Sequence, residues 1–273
     1  MARLIEDALP HIIRGKAENT VKLYRLAAEA LKHHLKHFEP PSVKGKHVAL
    51  IKRDYASHPN MGNRVLSVLR LIFSFALEDG TYGVESNPCA GIKAYTEAKR
   101  GRLILPSEFA AIREKAVPQL QCIMDMLRLT GQRVSDVLKL RVSDLGEEGI
   151  YFRQGKTGTR LIVRWTSELR AVVERSGGLR GNIRALTLFH SRSGSVPSYF
   201  TIRNKWERAC GLAGVQDAHI HDLRAMALTA AKAQGLDAQA LAGHASEAMT
   251  KRYLRSKEIP LVNGPKASSD LDA

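Results

Sequence analysis

Apolar residues in the first hundred positions recur at helical spacing. Val21, Tyr24, Ala28, Leu31 and Leu35 fall three or four residues apart and make one stripe, and Asn19 or Thr20 stands where the cap of that helix belongs. Lys22, Arg25, Lys32 and Lys36 flank the stripe. A second stripe, Val65, Leu69, Ile72, Phe73 and Ala76, predicts a helix over about 63–77 that stops at Asp79-Gly80. Gly83, Asn87-Pro88 and Gly91 mark a turn-rich exit. Residues 95–101, Tyr-Thr-Glu-Ala-Lys-Arg-Gly, are polar and aperiodic, which predicts a linker with a hinge at 96–102.

The pattern changes after the linker. An apolar run, Leu103-Ile-Leu-Pro106, precedes a helix from Ser107, and a further helix opens at Pro118 and closes at Thr130-Gly131. Ile150–Arg153 and Arg160–Trp165 are strand-like, and Gln154-Gly-Lys-Thr-Gly158 between them predicts a hairpin with a longer loop. The rest is mainly helical to about residue 257. The polar tail that follows is broken by one apolar island, Ile259-Pro-Leu-Val262, which predicts a contact, with a neighbouring subunit or with its own, or else a tail left loose. The fold class is therefore mainly α with a small β-hairpin. At 273 residues the chain is long for a single core, so two domains are expected, 1–97 and 98–273.

Charge narrows the function. Forty-two Lys and Arg against 27 Asp and Glu leave a net +15. The excess is shared by both halves, which suits an extended polyanion such as nucleic acid lying across them. Cys89, Cys122 and Cys210 are far apart and form no CxxC pair, as expected in a reducing cytoplasm. No apolar run approaches the ~20 residues that span a bilayer, and no signal-like segment opens the chain.

Two familiar motifs fail on inspection. Gly155-Lys156-Thr157 invites a phosphate-loop reading, but the upstream glycine is Gly149, one residue too far, and a strand follows where a helix is needed. His219-Ile-His221-Asp222 has the look of a metal-hydrolase element, yet the only downstream histidine is His244 and no ligand set has matching spacing. No metal or cofactor is expected. A different grouping is more informative. His221 and Arg224 are three residues apart and share a helix face, and Arg224 can offer a two-toothed grip to a phosphate. Arg133 follows the Thr-Gly helix stop, with Ser135 placed to cap the next helix and Asp136 placed to hold the guanidinium.

In chain order the set reads Thr130-Gly-Gln-Arg133-Val-Ser-Asp136, then Lys156, His221-Asp-Leu-Arg224, Leu241-Ala-Gly-His244 and Tyr253. This resembles the tyrosine recombinase (phage integrase) family over about 103–257. Thr20-Val-Lys-Leu-Tyr24 and the 73–88 segment are more weakly similar to that family's helical core-binding domain. The resemblance implies an N-terminal helical DNA-binding domain, a C-terminal α+β catalytic domain, and site-specific cutting and rejoining of double-stranded DNA through a 3′-phosphotyrosine bond. It implies Tyr253 as nucleophile, Arg133 and Arg224 gripping the phosphate, His221 and His244 in proton transfer and hydrogen bonding, Lys156 protonating the leaving 5′-oxygen, and Asp136 orienting Arg133. It also implies a homotetramer on paired sites.

Ala225-Met226 and Leu241-Ala242 depart from the family's commoner residues without touching a catalytic atom. The short N-terminus leaves no room for an independent arm-binding domain, so a compact two-domain member is expected, or one shortened at its start. A type IB topoisomerase-like relaxing enzyme and a non-catalytic DNA-binding prophage remnant stay open as alternatives.

Overall fold

Leu4, Ile5 and Ala8 have no exposed surface, which explains why the chain is helical almost from its first residue. The structure, a computed structural model, describes residues 1–97, 100–179 and 185–254. The chain divides into two compact units, Met1–Lys99 and Arg100–Ala273.

Among the described residues the first unit has four α-helices, α1 (Ala2–Ile13), α2 (Glu18–His34), α3 (Gly45–Asp54) and α4 (Pro59–Asp79), and one 3-10 turn, Pro40–Ser42. The stripe Ala28, Leu31 and Leu35 turns inward, and Val65, Leu69, Ile72, Phe73 and Ala76 of α4 fill the middle of the core. Pro59 opens α4, where its missing N–H costs nothing, and Gly80 closes it at φ 76°. Helix α2 begins earlier than the sequence suggests. Ala17 holds the extended cap position, so Asn19 and Thr20 lie within the first turn, and Glu18 is paired with Lys22 at 2.7 Å. Helices α1 and α3 escape sequence reading for different reasons. Pro10 argues against α1, and α3 buries only Val48 and Ile51.

The second unit starts with α5 (Pro106–Lys115) and α6 (Pro118–Thr130). Helix α6 is buried at eight of its thirteen residues and forms the centre of this core. Short α7 (Val134–Leu138) leads to the antiparallel hairpin β1 (Gly149–Arg153) and β2 (Arg160–Arg164), in register from Gly149 opposite Arg164 to Arg153 opposite Arg160. Ile150 and Phe152 point into the core, while Tyr151 and Arg153 point away, the alternation of a sheet with one covered face. Helices α8 (Ser167–Gly178), α9 (Tyr199–Leu212), α10 (Asp222–Ala233), α11 (Ala238–Ala242) and α12 (Glu247–Lys251) complete it.

One local expectation is corrected. Arg133, not Ser135, is the N-cap of α7: its backbone is extended and its carbonyl accepts from the N–H groups of Asp136 and Val137 at 2.9 and 3.0 Å. Ser135 therefore sits inside the first turn.

Of the polar stretch read as a linker, Tyr95 is held by Asn63, which donates to its carbonyl at 2.9 Å and accepts from its N–H at 2.7 Å. Arg100 belongs to the second unit and is bound to Asp217 and Asp222. Residues 98 and 99 lie outside the described residues, as does the apolar island at 259–262. No helix among the described residues is long and apolar enough to cross a membrane. The three cysteines are buried and unbridged, and burial pushes the Cys89 thiol up to about 12.

Candidate active site

The site forms where helix ends meet. Helix α6 stops at Gly131 (φ 64°), and this turn delivers Gln132 and Arg133 to the head of α7. Helix α10 starts just after His221 and carries Arg224 in its first turn. Helix α11 ends at Gly243 (φ 60°), which delivers His244, and Tyr253 follows α12. A left-handed glycine ends both α6 and α11 because a side chain there would be strained.

Arg224 is 1% exposed and is fixed from several sides. Its Nη1 donates to the Gly131 carbonyl at 2.5 Å, and its Nη2 donates to the Ala242 carbonyl at 2.7 Å and to His244 Nε2 at 3.0 Å. Nε makes no hydrogen bond among the described residues. Burial, and next the positive charge of Arg133, bring its pKa down to about 10, so it remains a cation at neutral pH. Its guanidinium carbon stands 5.3 Å from the centre of the Tyr253 ring.

His244 Nδ1 lies 3.0 Å from Thr250 Oγ1. Burial, then Arg224 and Arg133, depress its pKa to about 4, so it is neutral at physiological pH. Its ring stacks on Tyr253 with centroids 5.3 Å apart and planes 28° apart. On the other side, His221 Nε2 is 3.3 Å from the Tyr253 hydroxyl, with the two rings edge to face. The half-buried phenol is thus held between two imidazoles and an arginine.

Arg133 donates from Nη1 to Gln154 Oε1 at 2.6 Å. Asp136 is buried, with Oδ1 accepting from the Gly155 N–H at 3.0 Å and Oδ2 3.8 Å from Arg133 Nη1. That second oxygen has no hydrogen-bond partner among the described residues, so the carboxylate acts on the arginine as a nearby charge. Lys156 is placed differently. It is exposed on the β1–β2 loop and makes no hydrogen bond or ion pair among the described residues, although Gly155 and Thr157 on either side of it are tied down.

His221, Arg224, His244 and Tyr253 are therefore joined by direct contacts, Arg133 and Asp136 are linked to them through Gln154 and the Ala242 carbonyl, and Lys156 follows Gly155, whose N–H donates to Asp136. Sequence reasoning passed over Gln132, Gln154 and Thr250. The two glutamines lie inside the segments that carry Arg133 and Lys156, and Thr250 is three residues before Tyr253, but nothing in their spacing marks them. Among the described residues no three His, Cys, Asp or Glu side chains are grouped to hold a metal ion. The cationic side chains of the candidate set are Arg133, Arg224 and Lys156.

The description "Phage integrase family" matches residues 107–258. The integrase of Escherichia phage HK022 is 27% identical over 260 residues, covering 89% of this chain and 72% of that protein. The integrase of Enterobacteria phage P21 is 30% identical over 219 residues, 72% of this chain but 57% of that protein, so the chain spans little more than half of that relative. Among solved structures, a dimer of lambda integrase residues 75–356 bound to a COC′ core site superposes with a TM-score of 0.83 at 21% identity, over 97% of this chain and 99% of that one. A lambda integrase tetramer bound to a Holliday junction gives 0.83 at 22% identity, over 96% and 79%. The structural likeness shows the fold, and the family match takes in more than half of the sequence together with every candidate catalytic position. The chain belongs to the phage integrase family, the tyrosine-type site-specific recombinases.

Proposed function

We propose that the chain breaks and rejoins double-stranded DNA at specific sites by transesterification through Tyr253. The observation that carries this is the meeting of the Tyr253 hydroxyl, His221 Nε2 and the buried Arg224 guanidinium at one place. A phenol with pKa about 10 is a weak nucleophile at neutral pH, and a phosphodiester is already anionic. The reaction therefore needs a proton acceptor beside the phenol and cations beside the phosphate.

In the forward step the Tyr253 oxygen attacks the scissile phosphorus and its proton passes to His221. The bond from phosphorus to the 5′-oxygen breaks, a 3′-phosphotyrosine bond forms, and the leaving 5′-oxygen takes a proton from Lys156. Arg133 and Arg224 stabilise the charge that grows on the non-bridging oxygens. His244, neutral and engaged with Arg224, orients that arginine and the Tyr253 ring, leaving proton transfer to His221. A 5′-hydroxyl of another strand reverses the steps. One phosphoester is exchanged for another, so no nucleotide hydrolysis is required.

Residues 1–97 act as the core-binding domain and residues 98–273 as the catalytic domain, with exposed Lys22, Arg25 and Lys36 available to phosphates. Exchange between two duplexes needs four active strands, hence a homotetramer on paired sites, and its place is the cytoplasm, where the DNA lies. The lambda integrase structures, a dimer on a core site and a tetramer on a Holliday junction, support this reading. Tyr253→Phe tests it, because it removes only the hydroxyl. On a nicked substrate that lets the cleaved strand diffuse away, the wild type should trap a covalent protein–DNA product and the variant none, with DNA affinity kept within about threefold. A covalent product from the variant, mapped to another residue, refutes the assignment.

A further inference from the structure

Gln154 has no exposed surface, and its side chain uses its full hydrogen-bonding capacity. Its Nε2 donates to Gln132 Oε1 and to the Ala242 carbonyl, both at 2.8 Å. Its Oε1 accepts from Arg133 Nη1 at 2.6 Å and from Thr157 Oγ1 at 3.0 Å. Gln132, also fully buried, is anchored in turn, donating to the carbonyls of Thr130 at 3.1 Å and Leu241 at 2.7 Å. One amide thus connects the Arg133 turn, the Lys156 loop and the segment that ends in His244.

The Ala242 carbonyl gives this cluster its significance. It accepts from Gln154 and also from Arg224 Nη2. The chain of contacts runs Arg133 to Gln154 to the Ala242 carbonyl to Arg224, so the two guanidiniums, which repel each other, are referred to one backbone oxygen. Among the described residues, Gln154 supplies the only side-chain hydrogen bond to Arg133, whose Asp136 contact is longer, at 3.8 Å. The backbone makes room for this. A Cβ on Gly243 would lie 2.7 Å from Gln154 Nε2, and at φ 60° a side chain there is strained anyway. A carboxylate could not substitute, since position 154 must accept from an arginine and donate to a carbonyl at once.

We propose that Gln154 is a positioning residue that holds Arg133 at a set place relative to Arg224, with Gln132 as its brace. This rests on the reading of the two arginines as the phosphate grip. Gln154 itself does not touch the phosphate. It acts through Arg133, so its contribution is tied to how far the reaction depends on cations at the non-bridging oxygens.

That dependence can be measured with the full chain. Single-turnover formation of the covalent product is followed on two nicked substrates bearing the chain's own recombination site, one with the natural scissile phosphodiester and one with a methylphosphonate, which has no charge to neutralise. Gln154→Leu should slow cleavage of the phosphodiester about 100-fold, comparable to losing one transition-state donor, with DNA affinity within about twofold of wild type. On the methylphosphonate the gap between variant and wild type should narrow at least tenfold, as it should for Arg133→Ala. A loss of folded protein lowers both rates by the same factor and leaves the ratio unchanged. An equal gap on both substrates, or no gap on the phosphodiester, overturns the proposal. If the wild type forms no covalent product on either substrate, the proposed function falls and this inference with it.

Discussion

Arg224 Nη2 lies 3.0 Å from His244 Nε2, and that contact fixes the state of the histidine. A guanidinium can only donate, so Nε2 must accept, and the ring proton sits on Nδ1, facing Thr250 Oγ1 at 3.0 Å. Protonating the ring would set two buried cations against each other.

A pH dependence of stability follows from this pair. His244 takes a proton near 6.5 in the unfolded chain but only at about 4 in the folded one. As pH falls through 6.5 the unfolded chain binds the proton first, so stability is lost from there down to about 4 and levels off below. Between pH 7 and 5 the wild type should lose about 2 kcal/mol more than His244→Asn does, read by urea denaturation at each pH. The comparison cancels the other nine histidines. Parallel slopes would show that His244 protonates freely in the folded state.

Much of the architecture is legible along the chain because local rules and tertiary packing agree. Val65, Leu69 and Ile72 carry the right period, Pro118 opens its helix, and Gly80 and Gly131 stop theirs in left-handed conformations. Helix α1 is illegible because Pro10 argues against it, and only the burial of Leu4, Ile5 and Ala8 overrides that. The site divides in the same way. Arg133, His221, Arg224, His244 and Tyr253 are found through their order and residue types. Gln132 and Gln154 have no periodic signal, since a buried amide is recognised only by partners that folding brings to it. Arg100 is misleading for a related reason: polarity marks residues 95–101 as a linker, while its partners are more than a hundred positions away.

The placement of Lys156 leads to a test of its role. It is exposed, while the residues on either side of it are anchored, so its ammonium is free to meet a leaving oxygen. Lys156→Ala should slow single-turnover cleavage by about 100-fold or more, the usual contribution of a positioned general acid. Replacing the leaving 5′-oxygen by sulfur should restore most of that rate, because a thiol is far more acidic than an alcohol and its thiolate departs without needing a proton. No recovery with the sulfur substrate would assign Lys156 to phosphate binding.

Arg100 anchors the head of α10. It donates five hydrogen bonds, three to the Asp222 carboxylate, one to the Asp217 carboxylate and one to the Asp217 carbonyl. Asp222, whose side chain is 3% exposed, is the first residue of α10 and also accepts from the His219 N–H at 2.9 Å. The residue before it is His221, and Arg224 is two residues on. Arg100→Ala strips three hydrogen bonds from a buried carboxylate. The cost should be about 2–3 kcal/mol, at the lower end for breaking a buried ion pair because Arg100 itself is 28% exposed. Arg203→Ala is the control: it removes an exposed ion pair to Glu207 four residues away, worth less than about 1 kcal/mol. Urea denaturation of the full chain should separate the two variants clearly. Cleavage should fall further in Arg100→Ala than the loss of folded protein explains, because His221 caps α10 and Arg224 lies in its first turn, and the proposed function assigns them the proton from Tyr253 and one half of the phosphate grip. Arg100→Lys, which keeps the charge but not the fork, should lie between alanine and wild type in both measurements. If Arg100→Ala is no less stable than Arg203→Ala, the anchor makes no energetic contribution and the setting of α10 must come from its packing on α6 and α11 and from the bonds of Arg224.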